Sequence, residues 1–167
     1  GIPPSLADTR TPTHTVMDHV YATALTVNMI PLASENSSRL SGYIVLIDFP
    51  GIHEFVDAAR KAGDFWAGSW LVAEVAWRLA EKLMDEFGPD ILICPTPRMN
   101  PYFYLKYLKK KLKEIRADNI YKYIQGIYML FLKKILGREP PEDLEWQPLI
   151  PGTLLLLLPK GLVNWTS

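Results

Sequence analysis

The chain has 167 residues, 49% of them hydrophobic and 22% charged, which is enough apolar material for the core of one ordinary domain and excludes an intrinsically disordered chain. Eighteen basic and eighteen acidic side chains cancel to a formal net charge of zero, excluding a uniformly basic nucleic-acid sleeve but not a local basic patch. The single cysteine, Cys94, excludes an intramolecular disulfide framework and a zinc knuckle. The longest apolar runs, 127–132 and 154–158, fall far short of the roughly 20 residues of a membrane span. The opening Gly-Ile-Pro-Pro carries no basic stretch leading into an apolar one, so no signal peptide is expected. A reduced, cytoplasmic protein without a membrane partner is the expectation.

Residues 1–40 read as an N-terminal leader and 41–167 as the domain proper. Thr13 or Thr15 is placed to cap a helix through Val16, Val20, Ala24 and Val27, and the polar run Ser34 to Ser38 is the best internal boundary. Gly42 to Asp48 is continuously apolar until its terminal carboxylate, the pattern of a strand buried on both faces, and Pro50-Gly51 turns the chain. A helix is expected over 52–62, ended by Gly63. A second, with Asp64 as N-cap, is expected to run to Phe87, where Gly88-Pro89 stops it. Its Trp66, Trp70, Ala73, Trp77, Ala80 and Met84 recur at helical spacing and read as core, with Gly68 allowing close approach to the sheet. Residues 90–95 form a second short strand in which Cys94 acts as a small buried hydrophobe.

Asn100-Pro101 is a strong helix start, and Leu105, Leu108, Leu112 and Ile115 form a narrow apolar stripe behind it. A further helix over 119–136 carries Ile120, Ile124, Ile127, Phe131 and Ile135, with Gly137 ending it. Thr153 to Leu158 is a third apolar strand. Three strands separated by helical patterns give an α+β fold with helices on a small sheet.

The zero net charge conceals a segregation. Arg98 to Arg138 holds eleven basic residues against Glu114 and Asp118, so this stretch is +9 and the remainder −9. Such a chain meets something with one end or pairs its own ends. Lys106, Lys109, Lys110, Lys113 and Arg116, with Tyr102, Phe103, Tyr104 and Tyr107 among them, are candidates for phosphate contacts and base stacking, or for binding a partner protein.

Elsewhere the chemistry is sparse. His14, Asp18 and His19 stand at i, i+4 and i+5, a spacing that contributes to a divalent metal site, and also that of ordinary capping and surface side chains. A metal-dependent phosphohydrolase built on them is short of ligands. Asp48 closes a strand before a Gly turn into a helix, a common place for a metal or ligand, but two-metal chemistry needs a second convergent carboxylate. The Pro50-Gly51 turn is placed to offer backbone N–H groups to a phosphate. Phosphate-binding glycine loops, a nucleophile elbow and a His-Glu-x-x-His zinc motif do not occur in the sequence.

Three segments taken together resemble one family. Asp8-Thr-Arg-Thr-Pro-Thr-His14, followed by His19, is similar to the end of the HD-type region in the large subunit of type III CRISPR RNA-guided effector complexes of the Cmr class. The stretch from Ile47 to Val56 resembles the first strand and turn of that subunit's first cyclase-like palm. Residues 59–71, with Asp64-Phe-Trp-Ala-Gly-Ser69, resemble the family's Arg-Lys-Thr-Arg-Asp-Leu-Trp-Ala-Gly-Ser pattern, Gly63 standing where the family has arginine. The likeness is densest over 43–95 and weakest over 98–147.

The resemblance implies a ferredoxin-like, cyclase-type palm with extra helices over 41–167, lacking the Gly-Gly-Asp-Asp motif, preceded over 1–40 by the end of an HD-type region. It implies a non-catalytic fragment of a subunit that otherwise resembles an ATP-dependent oligoadenylate cyclase with an HD-type nuclease region. Asp48, Pro50, Gly51 and Ser69 would form half of an ATP site, with Mg2+ or Mn2+ bound only once the second palm is present. The implied partners are the other subunits of the effector complex and, through them, guide and target RNA. The competing expectation is a stand-alone domain that binds RNA or a partner protein through the basic helices of 101–136.

Overall fold

The computed structural model describes residues 16–30, 40–97, 100–144 and 150–160. Their elements are helix α1 (Val16–Val27), strand β1 (Gly42–Asp48), a short helix α2 (Ile52–Asp57), the long helix α3 (Ala62–Phe87), a 3-10 turn (Pro89–Ile91) and strand β2 (Leu92–Cys94). A π-helical segment (Phe103–Tyr107) then runs into α4 (Leu108–Glu114), followed by α5 (Asp118–Leu136) and strand β3 (Thr153–Pro159). The expected α+β class holds. The residues read as the first helix cap, His14 and the 34–38 boundary lie outside the described residues.

The three expected strands share one antiparallel sheet, in the order β1-β3-β2. β3 pairs with β1 without a break, from Gly42 opposite Pro159 to Asp48 opposite Thr153. Because side chains alternate along a strand, Leu154, Leu156 and Leu158 share one face with Val45 and Ile47 opposite them, and all three leucines are buried. Ala76, Trp77, Ala80 and Met84 of α3 lie over that face, joined by Ile91, Leu92, Tyr102 and Tyr107. Ala76 and Ala80, both fully buried, keep the α3 backbone close to the leucines.

The other face differs from expectation. Ile44 and Leu46 are 74% and 65% exposed, so β1 is covered on one face only. The cause is topological, since the helix packing on the sheet places its buried residues on the opposite side. β2 is shorter than the 90–95 expected: Pro89–Ile91 turns as a 3-10 helix, and the pairing shifts register between Leu92 and Cys94. Cys94 is therefore exposed rather than buried.

Helix boundaries moved too. α2 ends at Asp57, and α3 begins at Ala62 with extended Lys61 before it, so Asp64 sits in the first turn, where the helix dipole favours a carboxylate. At 26 residues α3 is about 39 Å long and outruns strands of seven residues. Its N-terminal part meets α2 instead of the sheet: Gly68 faces Phe55 and Val56, and a methyl group there would make only ordinary contact. Trp66 is consequently 64% exposed and Trp70 half-buried, whereas Trp77 is the buried indole, meeting Tyr102 edge-on at 5.1 Å.

α1, read from sequence as a leader, is tied to the sheet. The Tyr21 hydroxyl donates to the Leu92 carbonyl, and Asn28 Nδ2 donates to Asp90 Oδ2 at 2.6 Å. Met29 is buried against Gly42.

Asn100 caps the next helix as expected, its Oδ1 accepting from the Tyr102 and Phe103 amides at 2.9 and 3.4 Å. Tyr107 donates its hydroxyl to the Met84 carbonyl at 3.1 Å, fixing the π segment on α3. The segregated charges then close on each other. Lys110 Nζ donates to Glu81 Oε1 at 3.1 Å and Asp85 Oδ2 at 2.9 Å, Lys111 lies 2.8 Å from Asp85 Oδ1, and Lys106 lies 3.7 Å from Glu74. The hydrogen bonds from Lys111 and then Lys110 hold the Asp85 carboxyl below its ordinary range.

Among the described residues, α5 packs chiefly on α4 and the π segment. It buries Tyr121 and Tyr128, and Tyr128 stacks on Tyr104 at 4.3 Å beside Leu105 and Leu144. Ile120, Ile127 and Ile135 are exposed on its outer side. The tyrosine stack, with its larger apolar area, takes the inner side instead.

Three measurements follow from this packing. Trp77→Ala should lower the unfolding free energy by about 3–5 kcal/mol in urea titration, and Trp66→Ala by less than about 0.5 kcal/mol. Gly42→Ala should cost about 1–3 kcal/mol, because the added methyl would meet Met29 Sδ and stand 2.7 Å from the Leu158 carbonyl oxygen. Asp85→Asn should cost about 0.5–1 kcal/mol at neutral pH, a value kept small by the partial exposure of the pairs. Since the folded pKa is the lower one, Asp85's contribution is complete above the unfolded value of 3.8 and fades as pH falls through the folded value. The gap between the native chain and Asp85→Asn should therefore close in acid.

Candidate functional site

Asp48 is the last residue of β1 and stands directly opposite Thr153, whose hydroxyl donates to Asp48 Oδ1 at 2.8 Å. Strand alternation puts Asp48 on the uncovered face of the sheet, in line with Ile44 and Leu46. The next residues turn sharply: Gly51 has φ 75°, a left-handed conformation that glycine adopts without cost, and leads into α2. Beside the turn lies a groove of about 220 Å³, lined by Phe49, Pro50, Gly51, Ile52, Phe55, Leu71, Val72 and Val75. Its walls are apolar, which suits a flat ring or an aliphatic side chain better than a phosphate. The start of α2 is also a poor anion seat, because the helix has six residues and Glu54 lies in its first turn close to Gly51.

Of the four residues read as nucleotide-facing, Asp48, Pro50 and Gly51 follow one another at one end of β1, but only Pro50 and Gly51 line the groove. Asp48 lies on the sheet face turned away from α3, and Ser69, exposed on α3, does not line the groove. Thr153 and the α3 side chains Leu71, Val72 and Val75 were not singled out from sequence. Thr153 carries no local motif, and its pairing with Asp48 exists only once a strand 105 residues away is in register.

The remaining candidates separate into two groups. Asp18 and His19 lie on α1, while His14 is outside the described residues. Among the described residues, no group of three or more His, Cys, Asp or Glu side chains is arranged to hold a metal ion. Lys106, Lys109, Lys110 and Lys113 do converge, lining with Glu114 an open groove of about 480 Å³. Lys106 sits 3.9 Å over the Tyr102 ring as well as near Glu74, and Lys110 is held by Glu81 and Asp85. Arg116 follows α4 with φ 57°, an uncommon conformation for a side chain of its size.

The rings read as base-stacking platforms are engaged inside the fold. Tyr102 and Tyr107 are buried, Phe103 stacks on Tyr107 at 5.5 Å and Tyr104 on Tyr128. Burial, and next the Glu74 carboxylate, push the Tyr102 phenol above its ordinary range; burial does the same to Tyr107. Tyr102 and Tyr107 thus pack inside the fold, and Phe103 and Tyr104 are half-buried. No helix among the described residues is long and apolar enough to cross a membrane.

Comparison with known proteins supplies the family. The N-terminal family of the CRISPR-associated protein Cmr2 matches residues 44–164. A Cmr2 subunit of the CRISPR Cmr system of Saccharolobus solfataricus is 36% identical over 161 residues, covering 95% of this chain and 15% of that protein. A Cmr2 subunit of Pyrococcus furiosus is 30% identical over 115 residues, covering 68% of this chain and 12% of its own length. Among solved structures, a chain in a cryo-EM structure of the Type III-B Cmr-beta bound to cognate target RNA superposes with a TM-score of 0.73 at 34% identity, over 96% of this chain and 16% of that one. The chain therefore spans about a sixth or less of the proteins it matches. With the family matched over most of its length, and the turn, the long helix and the sheet, except the first two residues of β1, inside that match, this chain belongs to the Cmr2 N-terminal family.

Proposed function

We propose that the chain is the first, non-catalytic cyclase-like palm of the large subunit of a Cmr-type, type III CRISPR effector, and that it works as a scaffold forming one wall of an ATP site. The observation that carries this reading is the family match over 44–164, joined to a sheet whose one face is left apolar and open beside Asp48. The order β1-β3-β2, antiparallel throughout, supports a ferredoxin-like sheet of which these are three strands, with β1 at an edge. Contacts to the other subunits, and through them to guide and target RNA, belong to the same proposal, as does residence in the cytoplasm.

The chemistry assigned to this chain is modest. Asp48, oriented by Thr153, ends β1 on the open face of the sheet, and across the turn the apolar groove beside Pro50 and Gly51 suits the adenine end of a nucleotide. A two-metal transfer needs convergent carboxylates, and Asp48 alone cannot hold two ions. The residues here would orient the nucleotide, while Mg2+ or Mn2+ and the reacting phosphates would be held with the Gly-Gly-Asp-Asp palm. A stand-alone RNA-binding domain is the weaker reading, because Glu74, Glu81 and Asp85 already neutralise Lys106, Lys110 and Lys111.

The test is incubation of the chain with ATP and Mg2+ or Mn2+, alone and with the second palm added, with product analysis beside a binding titration. Alone, the chain should make no oligoadenylate. With the second palm, Asp48→Asn should weaken ATP binding by about tenfold, the loss of one charge-assisted contact of about 1.5 kcal/mol. Oligoadenylate made by the chain alone and surviving that substitution would refute the scaffold reading. Failure to bind ATP with both palms present would remove the nucleotide role.

A further inference from the structure

We infer that the outer edge of β1 is completed by a further β-strand of this chain's own polypeptide, downstream of residue 167 and antiparallel to β1. The hydrogen bonds of the sheet define that edge. Lys160 N donates to Ser41 O at 3.3 Å, and the β1-β3 register continues from this pair, with Gly42 opposite Pro159. Bonded and non-bonded pairs alternate along an antiparallel ladder, so Tyr43, Val45 and Ile47 turn their main-chain groups to β3. Ile44, Leu46 and Asp48 turn theirs outward. Pro159, which has no N–H, falls at a non-bonded position, as that alternation allows. Among the described residues β1 pairs with β3 alone. Its seven residues have no bulge, no proline and no charge before Asp48, so nothing in the strand blocks a neighbour. The β2 edge differs. β2 has three residues, a register shift and Pro95 after it, and Tyr21 already donates to the Leu92 carbonyl.

Connectivity selects the occupant. α1 is bonded to Asp90 and Leu92 at the opposite edge, so the chain before β1 does not lead to the open one. The chain leaves β3 at Pro159, level with the start of β1. A strand antiparallel to β1 begins at the other end, so the chain first travels back along seven residues of sheet, about 23 Å. A helix of about 15 residues covers that distance. β1 and β2 run parallel and are joined by a crossover of this kind through α2 and α3. From β3 to the new strand, both the strand direction and the step across the sheet reverse. A crossover of the same hand therefore returns on α3's face of the sheet, and the Ile44 and Leu46 face stays open. The chain covers 15% of its Saccharolobus relative, a length with ample room for such a segment. A second copy of this chain also fits an open edge, but a strand on the same polypeptide meets β1 at an effective concentration on the order of millimolar and forestalls it. The edge is set by main-chain geometry and does not rest on the nucleotide reading.

The test uses the full-length subunit and reads single amides by hydrogen–deuterium exchange. The Ile44 and Leu46 amides should exchange at least about 100-fold more slowly than an unpaired amide, as an edge filled by a strand requires. Photocrosslinkers placed at position 44 and, separately, at position 46 should then identify the neighbour. Both should capture one segment downstream of residue 167, at residues two apart and in reversed order, the signature of antiparallel pairing. In an equal mixture of light and heavy-isotope protein, the crosslinks should join peptides of the same isotope only. Exchange of Ile44 and Leu46 at the rate of unpaired amides would overturn the proposal. So would crosslinks that join light to heavy protein, that reach another subunit or a residue within 1–167, that fail to shift in reversed order, or that do not form.

Discussion

The structure rests on the burial of alternate leucines of β3. Leu154, Leu156 and Leu158 are enclosed between the sheet and α3, and their strand is the only one hydrogen-bonded to both others. β1 and β2 do not touch across the sheet; each is held in place by the last strand of the described chain. Closing such a sheet means bringing together segments about 60 and 105 residues apart before the contacts stabilise anything, a non-local arrangement that folds slowly. The alanines of α3 follow from the same constraint, since larger side chains at 76 and 80 would lift the helix from the leucines.

The helical layer beyond α3 depends on a second device. Asn100 sets the start of the π segment, Tyr107 ties it to the Met84 carbonyl, and the lysines of 106–111 close on the carboxylates of α3. Exposed ion pairs of this kind stabilise little individually. Their effect is to choose register and partner, holding the basic helix against α3 rather than elsewhere. The same pairing alters the functional weight of the positive charge, because much of what looks available along the chain is already neutralised within it.

What is left uncovered is informative. The open sheet face at Ile44 and Leu46, the exposed Trp66 on the overhanging part of α3 and the outer stripe of α5 are three apolar surfaces on a chain that matches only a small fraction of its relatives' length. Such surfaces suit a component of a larger assembly. Asp48, held by Thr153, ends β1 on the open face of the sheet.

Local sequence determined the three strands, the Asn100-Pro101 helix start, the stop at Gly88 and the α+β class, because each follows from the period of apolar residues or from the backbone chemistry of Asn, Pro and Gly. The residues of 8–19, 47–56 and 59–71 together were also enough to suggest the family. Periodicity, however, reports that a stripe is apolar and not which neighbour covers it. It placed Trp66, Ile44 and Leu46 inside, when α3 outruns the sheet and the described helices leave one sheet face bare. The pairing of Asp48 with Thr153, and of the lysines with Glu81 and Asp85, was likewise decided by tertiary structure. Each joins residues 25 or more apart in the chain, and no local pattern encodes a partner that only folding brings within hydrogen-bond reach.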